Sequence, residues 1–176
     1  MSTATTPSKT SHSSTLSTSQ LSLSKPQRES VITLLNEALT TGLDLYSQIK
    51  VAHWNVKGPQ FYFLHTLFDE LATELYAQMD DVAERAVALG GTAIGTVRQS
   101  ARLSRLSELP ITSDRETQEG LTVVSGLTEA YATYANLVLN WIDECDAHGD
   151  ADTTDLFTGL SRLLDKRLWM LESHLK

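Results

Sequence analysis

His65 and Asp69 lie four residues apart, and so do Asp80 and Glu84. On a helix that spacing puts the members of each pair on one face. Helical residues advance by about 100° each, so the 11 steps from Asp69 to Asp80 return to within about 20° of the same direction. The four residues therefore form one stripe, an imidazole with three carboxylates, beside the apolar stripe and with only Arg85 as a cationic neighbour. A solvated face would mix lysine with glutamate. His53, on the preceding helical block, adds a second imidazole, which a short antiparallel turn brings opposite His65 and Asp69. A lone histidine near a core is most often a hydrogen-bonded structural residue; two imidazoles and three carboxylates on neighbouring helices point to a metal. That donor set suits Fe(II), Mn(II) or Zn(II). With no thiolate ligand and open positions for O2 or peroxide, oxidation of Fe(II) is the natural chemistry.

His65 and Asp80 are 15 residues apart, about 22 Å along a helix axis. Metal–ligand bonds measure about 2.0–2.6 Å, so no single ion touches both ends of the stripe in one chain. Either there are two half-sites, or a second copy of the helix lies antiparallel beside the first. A two-fold axis near residues 74–75 would set Asp80 and Glu84 of one chain over His53, His65 and Asp69 of another, giving two such sites per pair. The other iron arrangement of four-helix bundles uses inward-pointing Glu-x-x-His motifs. The chain has no Glu-x-x-His, and its later blocks carry no matching His or Glu, so an intrabundle di-iron site is not expected.

Four helical blocks position these residues. The first opens at Ser24-Lys25-Pro26-Gln27, a capping box with an early proline, and continues through Val31, Leu34, Leu35, Ala38, Leu45, Ile49 and Ala52. Residues 55–59 break it. The second block restarts after Pro59 and stops at Gly90-Gly91. A connection over 92–112 follows, with a short helix expected around Arg98–Ser107; a link this long usually has a job, often an interface. The third block is expected to start at Ser113, with Glu116 completing a second capping box, and to end at His148-Gly149. The fourth runs from near Asp152 to the C-terminus. Period-two alternation is sustained nowhere. The pattern specifies an all-α fold, a four-helix bundle.

The chain has 176 residues, 41% hydrophobic and 20% charged, which fits one domain with a sizeable core. No apolar run approaches the roughly 20 residues of a membrane span, and residues 1–23 lack the apolar segment of a secretory signal. The single cysteine, Cys145, excludes an intrachain disulfide framework and fits a reducing cytoplasm. Spaced Cys-x-x-His with His148, it is insufficient for a metal site and reads as structural. A net charge of -8 excludes general nucleic-acid binding through the body. Residues 1–24 differ: fifteen of them are Ser or Thr, and no acid precedes Glu29. Such a segment reads as a disordered arm beside a bundle over 25–176. It is a solubilising extension or, through Lys9 and Lys25, a thin nucleic-acid-binding arm.

The run His53-Trp54-Asn55-Val56-Lys57-Gly58-Pro59, then Leu64-His65 with Asp69-Glu70, then Asp80 with Ala83-Glu84-Arg85, then Leu89-Gly90-Gly91, closely resembles the Dps family of mini-ferritins. So does the ending Asp165-Lys166, Trp169-Met170-Leu171, His174-Leu175. The resemblance covers about residues 25–176. It implies a ferritin-like bundle assembled into a hollow dodecamer that oxidises Fe(II), preferably with hydrogen peroxide, stores the Fe(III) mineral inside and protects against oxidative damage. The family's ferroxidase ligands match His53, His65 and Asp69 of one subunit with Asp80 and Glu84 of its two-fold mate; Zn or Mn are further occupants. Lys50 matches a position that hydrogen-bonds within the site. Trp54 matches one that intercepts one-electron oxidants, interface packing being the plainer alternative.

Asp143, Asp146, Asp150, Asp152 and Asp155 cluster where the third block ends and the fourth begins. The plain reading is that Asp152 and Asp155 cap a helix. The resemblance implies an acidic three-fold pore admitting Fe(II), lined by Asp146, Asp150 and Asp155. It also implies a cytoplasmic protein. Nucleoid association depends on an arm with far fewer cations than DNA-binding members carry, which puts DNA compaction in doubt, although twelve arms per cage would add avidity.

Overall fold

The computed structural model describes residues 16–176. Ser24 starts the first helix, α1 (Lys25–Asn55), by donating from its amide and its hydroxyl to Gln27 Oε1, at 2.9 and 2.6 Å. Pro26 sits in the first turn, where its missing N–H costs nothing. After a turn containing Gly58, whose φ of 105° suits glycine, the chain returns as α2 (Phe61–Ala88). Gly90, with φ 87°, provides the left-handed stop. These two helices form one antiparallel hairpin. α4 (Gly120–Ala147) and α5 (Ala151–Glu172) form the second.

The two hairpins pack face to face around Leu35, Leu45, Ile49, Phe68, Leu71 and Leu160, all buried. Fully burying such a side chain contributes about 1.5–3 kcal/mol. Tyr134 crosses the core and donates its hydroxyl to the Ala38 carbonyl at 2.9 Å. The fold is a four-helix bundle with a short fifth helix in the long link, and none of the helices among the described residues is long and apolar enough to cross a membrane.

The link departs from the sequence expectation in two places. Its helix, α3 (Val97–Leu103), is shorter than Arg98–Ser107. Ser104 turns extended there and donates its hydroxyl to Asp44 at 2.5 Å, which ends the helix against α1. The third long helix begins at Gly120, not Ser113. Residues Arg115–Gln118 make only a 3-10 turn, capped by Asp114. Lys57 N donates to Gln118 O at 2.8 Å, and Gly120 N to Lys57 O at 3.1 Å. That pairing with the α1–α2 turn holds Glu119 extended, so Glu119 becomes the cap of α4 and accepts from Leu121 N at 2.9 Å.

The first described residues are docked on the bundle. Ser17 N donates to Gly90 O at 2.9 Å, Arg28 Nη1 reaches Leu89 O at 2.7 Å and Ser17 O at 3.4 Å, and Leu16 and Leu23 pack on the core. The stretch read from sequence as a free arm to residue 24 therefore includes a clamped section. Lys9 lies outside the described residues.

Candidate metal centre

His53 sits in the last turn of α1 and His65 in the second turn of α2. Their rings stack with centroids 3.7 Å apart and planes 20° from parallel. Each Nδ1 lies 2.8 Å from the main-chain oxygen of the other residue. A carbonyl only accepts, so both rings carry their proton on Nδ1, and both Nε2 lone pairs are left free. Backbone groups of two helices thus orient two imidazole nitrogens whose lone pairs a metal could accept.

Asp69, one turn beyond His65, accepts a hydrogen bond from Lys50 Nζ at 2.7 Å. That hydrogen bond and the ammonium charge hold the Asp69 carboxyl below its ordinary range, against a small opposing effect of burial; the two imidazoles add a weaker pull in the same direction. His53, His65 and Asp69 line an open cleft of 390 Å³, with Thr66, Glu70, Thr73 and Glu74 completing the wall. Glu74 is gripped by Arg167 of α5 through two hydrogen bonds, Nε to Oε2 at 2.7 Å and Nη2 to Oε1. This pairing keeps the Glu74 carboxyl below its usual range and secures the back of the cleft to the second hairpin.

Asp80 and Glu84 are further along the same helix, exposed and in no ion pair among the described residues. No three side chains of His, Cys, Asp or Glu converge within a single chain among those residues. One chain therefore presents two nitrogens and a carboxylate at one end of α2, and two carboxylates at the other.

The remaining positions divide. Trp54 projects from the α1 end, 66% exposed. Asp146 and Asp155 are exposed, at one end of the bundle. Asp150 has different work from the pore lining expected of it. It is the N-cap of α5, 2% exposed, accepting from Thr153 N at 3.1 Å and Thr153 Oγ1 at 2.6 Å and pairing with Arg85 Nη2 at 2.6 Å. Capping therefore falls to Asp150 instead of Asp152 and Asp155, because the chain leaves the left-handed Gly149 directly into the helix. Cys145 is buried, and burial with nearby carboxylates pushes its thiol up to about 12, an inert group. Lys25 pairs loosely with Glu29 at 3.7 Å. Thr73 and Tyr76 share the stripe of Asp69 and Asp80, four and seven residues beyond Asp69, and as uncharged side chains carry no donor signal in the sequence.

A helical bundle carrying imidazole and carboxylate donors in an open cleft defines a protein of the ferritin-like class, and the ferritin-like domain family matches residues 32–176. The DNA protection during starvation protein of Agrobacterium fabrum is 42% identical over 149 residues, covering 85% of this chain and 90% of that protein. A second, DNA protection during starvation protein 2 of Bacillus anthracis, is 32% identical over 145 residues, covering 82% and 96%. Among solved structures, DpsC from Streptomyces coelicolor superposes with a TM-score of 0.85 at 28% identity, covering 92% of each chain. The chain belongs to the Dps family. Membership supports iron storage and protection in general, and homo-oligomeric assembly.

Proposed function

We propose that the protein is a ferroxidase cage: it oxidises Fe(II) with hydrogen peroxide at sites shared between two-fold-related subunits and stores the Fe(III) mineral inside a dodecamer. Fe(II) is the substrate; Zn(II) and Mn(II) fit the same donors and would compete for them. The observation that carries the reading is the division of donors: His53 at the end of α1 with His65 and Asp69 early in α2, and Asp80 with Glu84 farther along α2, Asp80 being about 22 Å from His65 along the axis. An antiparallel partner supplies to each half what it lacks.

In this arrangement the two Nε2 atoms and Asp69 take Fe(II) from the cleft. Lys50 yields Asp69 to the incoming cation, keeping the carboxylate ionised until then. Asp80 and Glu84 of the mate close the ligand set. Asp146 and Asp155, exposed at the opposite end of the bundle, supply the acidic lining that draws Fe(II) inward. Removal of Fe(II) and peroxide together is the protective act.

The test uses two double variants, His65→Ala with Asp69→Ala, and Asp80→Ala with Glu84→Ala. Each alone should lose rapid Fe(II) oxidation, since every site lacks half its ligands. Co-assembled, a mixed dimer has one site complete and one stripped, so up to about half the activity should return. Verified mixed dimers that stay as inactive as the parents would refute the shared site.

A further inference from the structure

The seam between α1 and α2 is a ladder of side-chain pairs: His53 with His65, then Lys50 with Asp69, then Tyr46 with Tyr76. The first two rungs belong to the half-site described above. The third does not, and nothing in the ligand chemistry requires it. The two phenol rings stand 5.2 Å apart, centroid to centroid, at 46°. Tyr76 is 57% exposed and Tyr46 half-buried, and among the described residues neither hydroxyl has a hydrogen-bond partner. Tyr76 comes seven residues after Asp69 and four before Asp80, about 10 Å and 6 Å along the axis. It therefore stands on the ligand stripe between the two half-sites. It is also within about 2 Å, in height, of the level where the proposed two-fold axis crosses α2.

We infer that Tyr46 and Tyr76 form a one-electron relay joining the two iron sites of a subunit pair, an inference that rests on the iron-oxidising reading above. Peroxide accepts two electrons and each Fe(II) gives one. Where peroxide meets a lone Fe(II), the O–O bond breaks to leave Fe(III), hydroxide and a hydroxyl radical. The radical takes the hydrogen atom of a phenol O–H, giving water and a tyrosyl radical. An electron from Fe(II) at the other site, with a proton from solvent, restores the phenol and gives the second Fe(III). In sum, two Fe(II), one peroxide and two protons become two Fe(III) and two waters. Electron transfer falls off exponentially with distance, so one hop across about 22 Å is slow. A ring pair from each subunit at the midpoint divides that span into shorter steps.

The experiment uses the full-length assembled protein, loaded with less Fe(II) than one per site so that lone ions are common, and then mixed with peroxide. Freeze-quenched electron paramagnetic resonance should show a tyrosyl radical in the unaltered protein. In Tyr46→Phe/Tyr76→Phe that signal should vanish, and spin-trapped hydroxyl radical should rise several-fold. Phenylalanine keeps the ring packing, and a thermal melt checks the fold. A tyrosyl signal and trap yield that stay the same in the double variant would overturn the relay, as would a radical residing on Trp54 in the unaltered protein. Failure of the underlying reading looks different: the unaltered protein would then oxidise Fe(II) no faster than His65→Ala.

Discussion

At the scale of single residues, the decisive fact is the direction of two imidazole protons. Because His53 and His65 each spend Nδ1–H on the other's carbonyl, metal binding requires no tautomer change at either ring. Long-range proton–nitrogen NMR of the metal-free protein should therefore find both in the Nδ1–H form; an Nε2–H ring at either position would contradict the geometry. Arg167 and Glu74 make a second prediction, one that depends on pH. Glu74 starts from an ordinary value of 4.5 and is lowered in the folded protein, chiefly by its hydrogen bond to Arg167. A lowered carboxyl stabilises the fold above its unfolded value, and the contribution fades as pH falls through the folded one. The Glu74 side chain is 41% exposed, so solvent screening reduces the loss in Glu74→Gln to about 1–2 kcal/mol at pH 7. Denaturant titrations should show the gap from the unaltered protein closing steadily below pH 4.5. A gap that persists unchanged at pH 3 would mean the pair acts through packing alone.

At the scale of elements, acidic residues at one end of the bundle separate into structural and exposed sets. Asp150→Ala removes a helix cap and leaves Arg85 without its buried partner, for a cost of about 3 kcal/mol by thermal or denaturant melting. Asp146→Asn with Asp155→Asn should leave stability within about 0.5 kcal/mol and slow iron uptake at low ionic strength. Equal melting of Asp150→Ala and the unaltered protein would remove the structural assignment. The sequence disclosed whatever local chemistry decides. Ser24 with Gln27 and Gly90 mark their helix ends within a few residues, and the four- and eleven-residue steps along α2 disclosed the stripe. It hid what distant backbone decides. Ser113 and Glu116 have the form of a capping box, but Lys57, sixty residues earlier, pairs with the strand-like stretch at Gln118–Gly120 and delays the helix. Asp150 was hidden for a related reason: its rank over Asp152 as the cap depends on Arg85, which only the packed bundle brings near. The antiparallel register made the approach of His53 to His65 legible, whereas the paired ring-to-carbonyl bonds arise only from the close packing of the two helix backbones.

At the scale of the whole molecule, charge sets the expected behaviour toward DNA. The body is acidic, the net charge is -8, and Lys25 already faces Glu29. Gel shifts near physiological salt should show no retention by the full chain. Any weak retention at low salt should disappear when residues 1–15 are removed, a cut that spares the Ser17–Gly90 clamp. A salt-resistant shift, or one that survives the cut, would relocate DNA binding to the bundle. The division into two hairpins has its own consequence. All five donors, Lys50, Trp54 and both relay tyrosines lie on α1 and α2, whose contacts are formed between neighbours along the chain. Contacts within each hairpin close short loops, which little loop entropy opposes, whereas joining the two hairpins closes the long link. On the proposed reading the chemistry therefore belongs to a unit that is half of the bundle. The second hairpin reaches that unit through Arg167, whose grip on Glu74 backs the cleft, so changes in α5 that spare this pair should leave the cleft intact.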